Sequence, residues 1–415
     1  MTAGAPSHHA APGRRPSLLI LVPSADMYGS DRALLGALAE LVERFEVTMV
    51  AAVDGPMLSA ARALGVEVVV SPDWALRRRF FTPTGIGPAL WRVARSLRLL
   101  RSLDARRSFD VVYANTVANT LLPFIRLAVR APLLVHVREV PRTSGRLNDL
   151  FFGQISRVAS MLVCNSTYTA EFVAEAQPAL ASRIRVIHNG VATVAPGSRI
   201  QVIHDGVDTG EGVDHEPRSG ALEIVCVGRI HPQKGQAVMI EALRLGVDGG
   251  HDWRVHFWGD ALPEHQELFA ELRRQVAAAS LQDRVTWHGY SGDTGTLYRG
   301  MDVAVVPSTW PEGFSLVTAE AQAAGLPAIA TGPGGPTDII DDGVTGRLIG
   351  FNDPAALVAA LVEMEDDATR LAWGEAGRRR CLEKFGTERY ARQVADALSG
   401  LVDQATDALP AAVGS

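Results

Sequence analysis

Lysine is almost missing from this chain. Of its 40 basic residues only Lys234 and Lys384 are lysines, a bias that points to a GC-rich coding sequence and makes each lysine conspicuous. Cysteine is scarce too. Cys164, Cys226 and Cys381 are the only three, widely spaced, and the first two sit in apolar strand-like runs. That excludes a disulfide framework and a clustered thiolate site, and it predicts buried thiols in a reducing cytoplasm. No run of about 18 apolar residues occurs, so no membrane-spanning helix is expected. Residues 1–16 lack the apolar core of a signal peptide and read as a flexible tail. A net charge of −6 excludes a general nucleic-acid binder. No GxGxxG follows the first strand of either half, which disfavours a dinucleotide-dependent dehydrogenase; GPGG at 332–335 comes after a late strand and does not supply it.

What is present is length and alternation. The 415 residues, 47% hydrophobic and 21% charged, suffice for two soluble domains with ample cores. Strand-like runs at Ser17–Val22, Val47–Ala52, Val66–Val70, Asp110–Tyr113, Leu133–Val137 and Met161–Cys164 alternate with helical patterns, the first helix running from about Asp31 to Arg44. A second series has runs at Leu222–Val227, Arg254–Trp258, Arg284–His288, Asp302–Val306 and Leu326–Ala330. This is the pattern of parallel sheets covered on both faces. The expected division is a first domain over 17–207, a polar linker over 208–220, a second domain over 221–385, and a C-terminal helix and tail over 386–415, with Gly386 as the break. RIRVIHNGV at 183–191 is nearly repeated as RIQVIHDGV at 199–207, a local duplication of which either copy could fill the domain junction.

In such sheets ligands bind beyond the carboxyl ends of the strands, so the loops there hold the candidate residues. Pro23–Arg32 is either a binding loop, with Gly29 permitting close approach, or a plain turn capped by Ser30 or Asp31. His136 ends a strand, sharing a face with Arg138 and opposite Glu139; a histidine there faces a reaction centre or is structural. Residues 77–107 are strongly basic, with Arg92, Arg95, Arg98 and Arg101 forming a drifting stripe opposite Val93, Leu97 and Leu100. They suit an anionic membrane surface, an anionic acceptor, or simply a solvated helix face. Arg229 and Lys234 flank the loop GRIHPQKG and are placed to neutralise a diphosphate. Gly289 and Tyr290 could line a base pocket.

The stretch Pro307–Ile340 reads as loop, helix, buried strand and glycine-rich turn. Glu312 and Glu320 stand eight residues apart, a separation of about 12 Å if the segment were all helical. The pair is either two surface acids on an amphipathic helix or two carboxylates gripping hydroxyl groups on either side of a diphosphate. Gly313–Leu316 form the expected helix mouth, where free amides and the macrodipole favour a phosphate.

The order of these features resembles the retaining glycosyltransferases of family four. The resemblance lies in VGRIHPQKG at 227–235, HGY at 288–290, DVAVVPSTWPEGFSLVTAEAQAAGLPAIAT at 302–331 and GGPTDIIDDGVTGRLI at 334–349, with a weaker match at YGSDRALLGAL, 28–38. It implies the GT-B architecture, two Rossmann-like doubly wound domains facing across a cleft. It implies a nucleotide-sugar donor, UDP- or GDP-linked, without a cofactor or metal, and a glycan, lipid or small-molecule acceptor. Glu312 would hold donor sugar hydroxyls and Glu320 the ribose. Arg229, Lys234 and the amides of Phe314, Ser315 and Leu316 would bind the diphosphate, Gly29 would sit against the donor, and His136 would match a histidine near the reacting sugar. Ser315 departs from the glycine usual after Phe, and Asp338 from a common glutamate. The implied location is cytoplasmic, with a peripheral contact at the inner membrane face. Another GT-B enzyme, such as a sugar-nucleotide epimerase or a polysaccharide synthase, and a non-catalytic nucleotide-sugar-binding protein are the alternatives.

Overall fold

The computed structural model describes residues 14–23, 25, 29–71, 86–117, 121–140, 145–191, 220–291 and 293–407. Most of the expected tail, the Arg77–Phe81 part of the basic segment, the 199–207 copy of the repeat and nearly all of the 208–220 linker lie outside them. The chain divides into two compact units. One combines the residues up to His188 with those from Glu388 onward; the other is Asn189–Thr387.

The first unit is built on a parallel sheet of seven strands: β1 (Ser17–Val22), β2 (Glu46–Ala51), β3 (Glu67–Val70), β4 (Val111–Ala114), β5 (Leu133–Val137), β6 (Met161–Cys164) and β7 (Ile184–Val186), in the order β3-β2-β1-β4-β5-β6-β7. SLLILV is apolar at every position after the serine because β1 is central and covered on both sides. Leu18, Ile20 and Val22 enter one core with helix α1 (Gly29–Arg44), α2 (Pro56–Ala63) and α13 (Thr387–Asp407). Leu19 and Leu21 enter the other with α3 (Ile86–Arg107), α4 (Gly145–Val158) and α5 (Thr167–Ala176). Residues 388–407, expected as a C-terminal appendage, thus supply core to the first unit; Arg44 also bonds Asp396 at 2.6 Å. The expected capping by Ser30 or Asp31 is not realised. The helix already begins at Gly29, which puts both residues in its first turn, where the acid suits the macrodipole.

The second unit has six parallel strands: β8 (Leu222–Val227), β9 (Trp253–Trp258), β10 (Val285–Gly289), β11 (Val303–Val306), β12 (Ala328–Thr331) and β13 (Gly346–Ile349), in the order β10-β9-β8-β11-β12-β13. Its helices are α6 (Gln236–Asp248), α7 (Gln266–Ala278), α8 (Thr294–Tyr298), α9 (Leu316–Ala323), α10 (Pro336–Ile339), α11 (Pro354–Glu363) and α12 (Asp367–Lys384). Ile224 and Cys226 of β8 pack with α6 and α11 on one face, and Val225 packs with Tyr298 on the other. All three cysteines are buried free thiols. Because every pairing is parallel, the carboxyl ends share one edge. The order turns back between β8 and β11, and the loops leaving those two strands bound a crevice there.

Candidate functional site

Residues Gly228–Gly235 follow β8 and Pro307–Ser315 follow β11, and the two loops are locked backbone to backbone. Thr309 N donates to the Gln233 carbonyl at 2.8 Å and its Oγ1 to that of Pro232 at 2.9 Å. Gly235 has φ +66°, and a Cβ on it would lie 1.8 Å from the Pro307 carbonyl oxygen. Only glycine fits a left-handed position with such an approach. The stem of Lys234 lies over Gly228, with Cγ and Cδ 3.3 Å from where a Cβ would stand.

That packing delivers the ammonium of Lys234 to Glu312, with Nζ 2.6 Å from Oε1. Ser308 Oγ donates to the same oxygen at 2.6 Å. The backbone of Glu312 is fixed from the loop that follows β12, where Gly335 N donates to its carbonyl at 2.8 Å. Thr331 Oγ1 holds the Ser308 carbonyl at 2.8 Å. Burial pushes the Glu312 carboxyl up. The Lys234 charge and the hydrogen bonds from Lys234, Ser308 and Ser315 outweigh it and hold the group below its ordinary value. The side chain is therefore a buried, ionised carboxylate at neutral pH.

Helix α9 opens beside it. Its N-cap, Ser315, sits at φ +73° and makes no side-chain cap hydrogen bond. The first-turn amides thus receive no acceptor from the cap, and an anion is favoured there. Phe314 is buried against Phe385, ring centroids 5.6 Å apart, so only its amide can serve a ligand. Since α9 begins at Leu316, Glu312 lies before the helix and Glu320 inside it, and only the last four of the eight steps between them are helical. Glu320 is buried inside α9, with Tyr298 Oη donating to Oε2 at 3.5 Å. Arg229 is exposed, its carbonyl accepting from Gln236 Nε2 at 2.9 Å. Burial, His265 and the charges of Arg229 and Lys234 hold His231 below its ordinary value, a sign of the cationic field on this rim. Gly289 ends β10 at φ +76°, and Tyr290 beyond it is exposed.

The structure thus brings Lys234, Glu312 and the mouth of α9 together. Ser308, which contacts Glu312 directly, was not expected; a serine directly after a buried strand and its proline is the one available signal. Gly29 and His136 belong to the first unit. Gly29 opens α1. His136 is buried, with Nδ1 2.8 Å from Tyr113 Oη. Arg138 joins the same cluster, reaching Asn115 Oδ1 at 2.9 Å and Tyr390 Oη at 2.8 Å. Burial and then the Arg138 charge hold His136 well below its ordinary value of 6.5. The unfolded chain then binds the extra proton, so this contribution to stability is full above about pH 6.5 and is lost as pH falls below it. The Tm of the wild type is expected to decline with acid more steeply than that of His136→Gln, a difference read from thermal melts across pH; equal slopes refute it.

Residues 213–380 match the family model for glycosyl transferases group 1, and residues 29–195 that for Glycosyltransferase Family 4. The chain belongs to the family 4 glycosyltransferases. Among its relatives in the family is the lipopolysaccharide core biosynthesis mannosyltransferase LpsB of Rhizobium meliloti. The two are 33% identical over 180 residues, 43% of this chain and 51% of that protein. The D-inositol 3-phosphate glycosyltransferase of Thermobispora bispora is 27% identical over 274 residues, 63% of this chain and 61% of that protein. The chain spans about half the length of the first of these relatives. Of solved structures, Anabaena Alr3699/HepE in complex with UDP and glucose superposes with TM-score 0.73 at 22% identity, covering 92% of this chain and 99% of that one. A glycosyltransferase of Rickettsia africae gives TM-score 0.75 at 17% identity, covering 93% and 99%. These likenesses show that the fold of this family 4 glycosyltransferase is GT-B, with two parallel-sheet Rossmann-like domains.

Proposed function

We propose that the chain moves a glycosyl group from a nucleoside-diphosphate sugar, UDP- or GDP-linked, to an acceptor hydroxyl with retention of anomeric configuration. The observation that carries this is the Lys234–Glu312 pair at the crevice between β8 and β11, beside the uncapped mouth of α9. The complexes of Anabaena HepE with UDP and with UDP-glucose support a uridine donor. Lys234, Arg229 and the amides of Phe314, Ser315 and Leu316 bind the diphosphate, Glu312 the sugar hydroxyls, Glu320 the ribose, and Gly289 with Tyr290 the base. The bond from the anomeric carbon to the phosphate oxygen breaks with its electron pair passing to the diphosphate. The acceptor oxygen attacks the same face, and its proton goes to the departing phosphate. Charge grows on that phosphate in the transition state, so the cations and amides stabilise it more than the bound ground state.

A thermal-shift panel of UDP- and GDP-sugars tests this, followed by assay of nucleotide release with candidate glycan, lipid and small-molecule acceptors. A shift with acceptor-dependent release is the expected result. A shift without release marks a non-catalytic binding protein, and no shift with any donor refutes the proposal.

The basic segment enters as a surface for anionic lipid. Helix α3 carries Arg92, Arg95, Arg98, Arg101, Arg106 and Arg107 against one acid, Asp104. Its apolar side packs as expected, with Leu97 and Leu100 buried, while Arg95, Arg98 and Arg101 are exposed. Trp91 is 55% exposed under the Arg95 guanidinium, 5.1 Å from ring centroid. No helix among the described residues is long and apolar enough to cross a membrane. Binding to phosphatidylglycerol vesicles is expected at low salt, weakening with added salt and on Arg95→Glu/Arg98→Glu. No binding at low salt excludes the contact.

A further inference from the structure

Glu312 has more partners than an ion pair requires. Its Oε1 accepts from Lys234 Nζ and Ser308 Oγ, each at 2.6 Å, and the nearby Ser315 hydroxyl also favours the ionised carboxylate. Ser308 is 1% exposed and Ser315 7%. Ser315 occupies a left-handed backbone position, φ +73°, that glycine takes without strain. At this N-cap its hydroxyl does not cap the helix; it bonds Thr318 Oγ1 instead, 2.8 Å away, on the side of Glu312 whose charge it favours.

We propose that Ser308 and Ser315 are positioning residues that hold the Glu312 carboxylate in place while Lys234 turns from it to the incoming diphosphate. This rests on the donor site proposed above. A diphosphate beside Lys234 competes with Glu312 for the ammonium, and Glu312, 8% exposed, has little access to water. Left by its cation, a buried carboxylate takes up a proton or moves unless other donors hold it. Two serine hydroxyls meet that need without bringing further charge into the site. Both lie close in the chain to Glu312, on the segment between β11 and α9, so they stay with the carboxylate whatever Lys234 does. The strained serine is then explained by its hydroxyl: glycine would relax the backbone and lose the contact.

The test compares wild type with Ser308→Ala, Ser315→Ala, Ser315→Gly and the double alanine variant. Nucleotide release from UDP-glucose and GDP-mannose is measured against pH, and a double-mutant cycle with Glu312→Gln is read on Tm. The double variant should lose about tenfold or more in kcat with a smaller change in donor KM. Its acid limb should move to higher pH, because Glu312 loses two groups that favour its ionised form. Ser315→Gly should match Ser315→Ala in rate while melting higher, which separates the hydroxyl from the backbone strain. In the cycle, the serine and Glu312 effects should fail to add, and this holds whether or not either donor is turned over. Wild-type kcat and acid limb in the double variant, full activity in Ser315→Gly, or Tm changes that simply add would each overturn the proposal. Failure of the donor-site assignment looks different: Glu312→Gln would then keep turnover while the thermal cycle still showed coupling.

Discussion

Lys234→Ala and Glu312→Gln are each expected to cut glycosyl transfer by about 100-fold or more, the range seen when one preorganised group facing transition-state charge is removed. Both variants should remain folded. Glu312→Gln keeps the shape and a carbonyl oxygen for Ser308, and it leaves Lys234, 25% exposed, able to reach water. Lys234→Ala removes the counter-charge of a buried carboxylate, which for a naked charge costs about 3–5 kcal/mol. Here Ser308 and Ser315 still donate, so the loss should be smaller. Steady-state rates and far-UV circular dichroism decide between them; near-normal turnover in both variants would sink the donor-site assignment. The pH dependence has a defined sign. With its folded pKa held below the ordinary value, Glu312 stabilises the fold above the unfolded carboxylate pKa. That contribution, and the activity resting on the ion pair, is lost only as pH falls through the lowered value.

Gly235→Ala should destabilise the second unit by about 2–4 kcal/mol, well beyond the strain of a left-handed alanine alone. The added methyl meets backbone, the Pro307 carbonyl at 1.8 Å, and no side chain can swing away to admit it. The loops after β8 and β11 would have to separate, and with them the Thr309–Gln233 bond and the aim of Lys234. The variant should therefore also lose any donor-induced thermal shift. Gly250→Ala is the control: it too has positive φ, +89°, but nothing lies within 4 Å of its Cβ. It should cost about 1 kcal/mol and spare donor binding. Equal melting temperatures for the two alanine variants would refute the close-approach account.

The central strands were legible because their residues say so locally. Ser17–Val22, Leu133–Val137, Met161–Cys164 and Leu222–Val227 are apolar runs of strand length bounded by breakers, and each forms a strand with those bounds. The edges were harder. Ile184–Val186 and Gly346–Ile349 are short and half exposed, so their composition carries little apolar signal. The candidate site was legible in its charges and not in its geometry. That Lys234 meets Glu312, 78 positions away, depends on which strands neighbour β8, and no local pattern states it. The helix start at Leu316 falls at the expected mouth, but the left-handed backbone of Ser315 was hidden because nothing in the residue type announces a serine at positive φ. The contacts of His136 were hidden for a related reason: Tyr113 and Tyr390 reach it from other elements of the chain.

Helix α13 ties the two units together in time. Seven of its side chains, from Tyr390 to Leu401, fill the first unit's core, yet the whole of Asn189–Thr387 is translated before them. The second unit is a single uninterrupted stretch and can close its core as soon as it is made. The first unit must wait, with one face of its sheet covered only by α1 and α2, until residues 388–401 emerge. The unit that is begun first is therefore finished last, and a chain ending at Thr387 would hold a complete second unit and an incomplete first one.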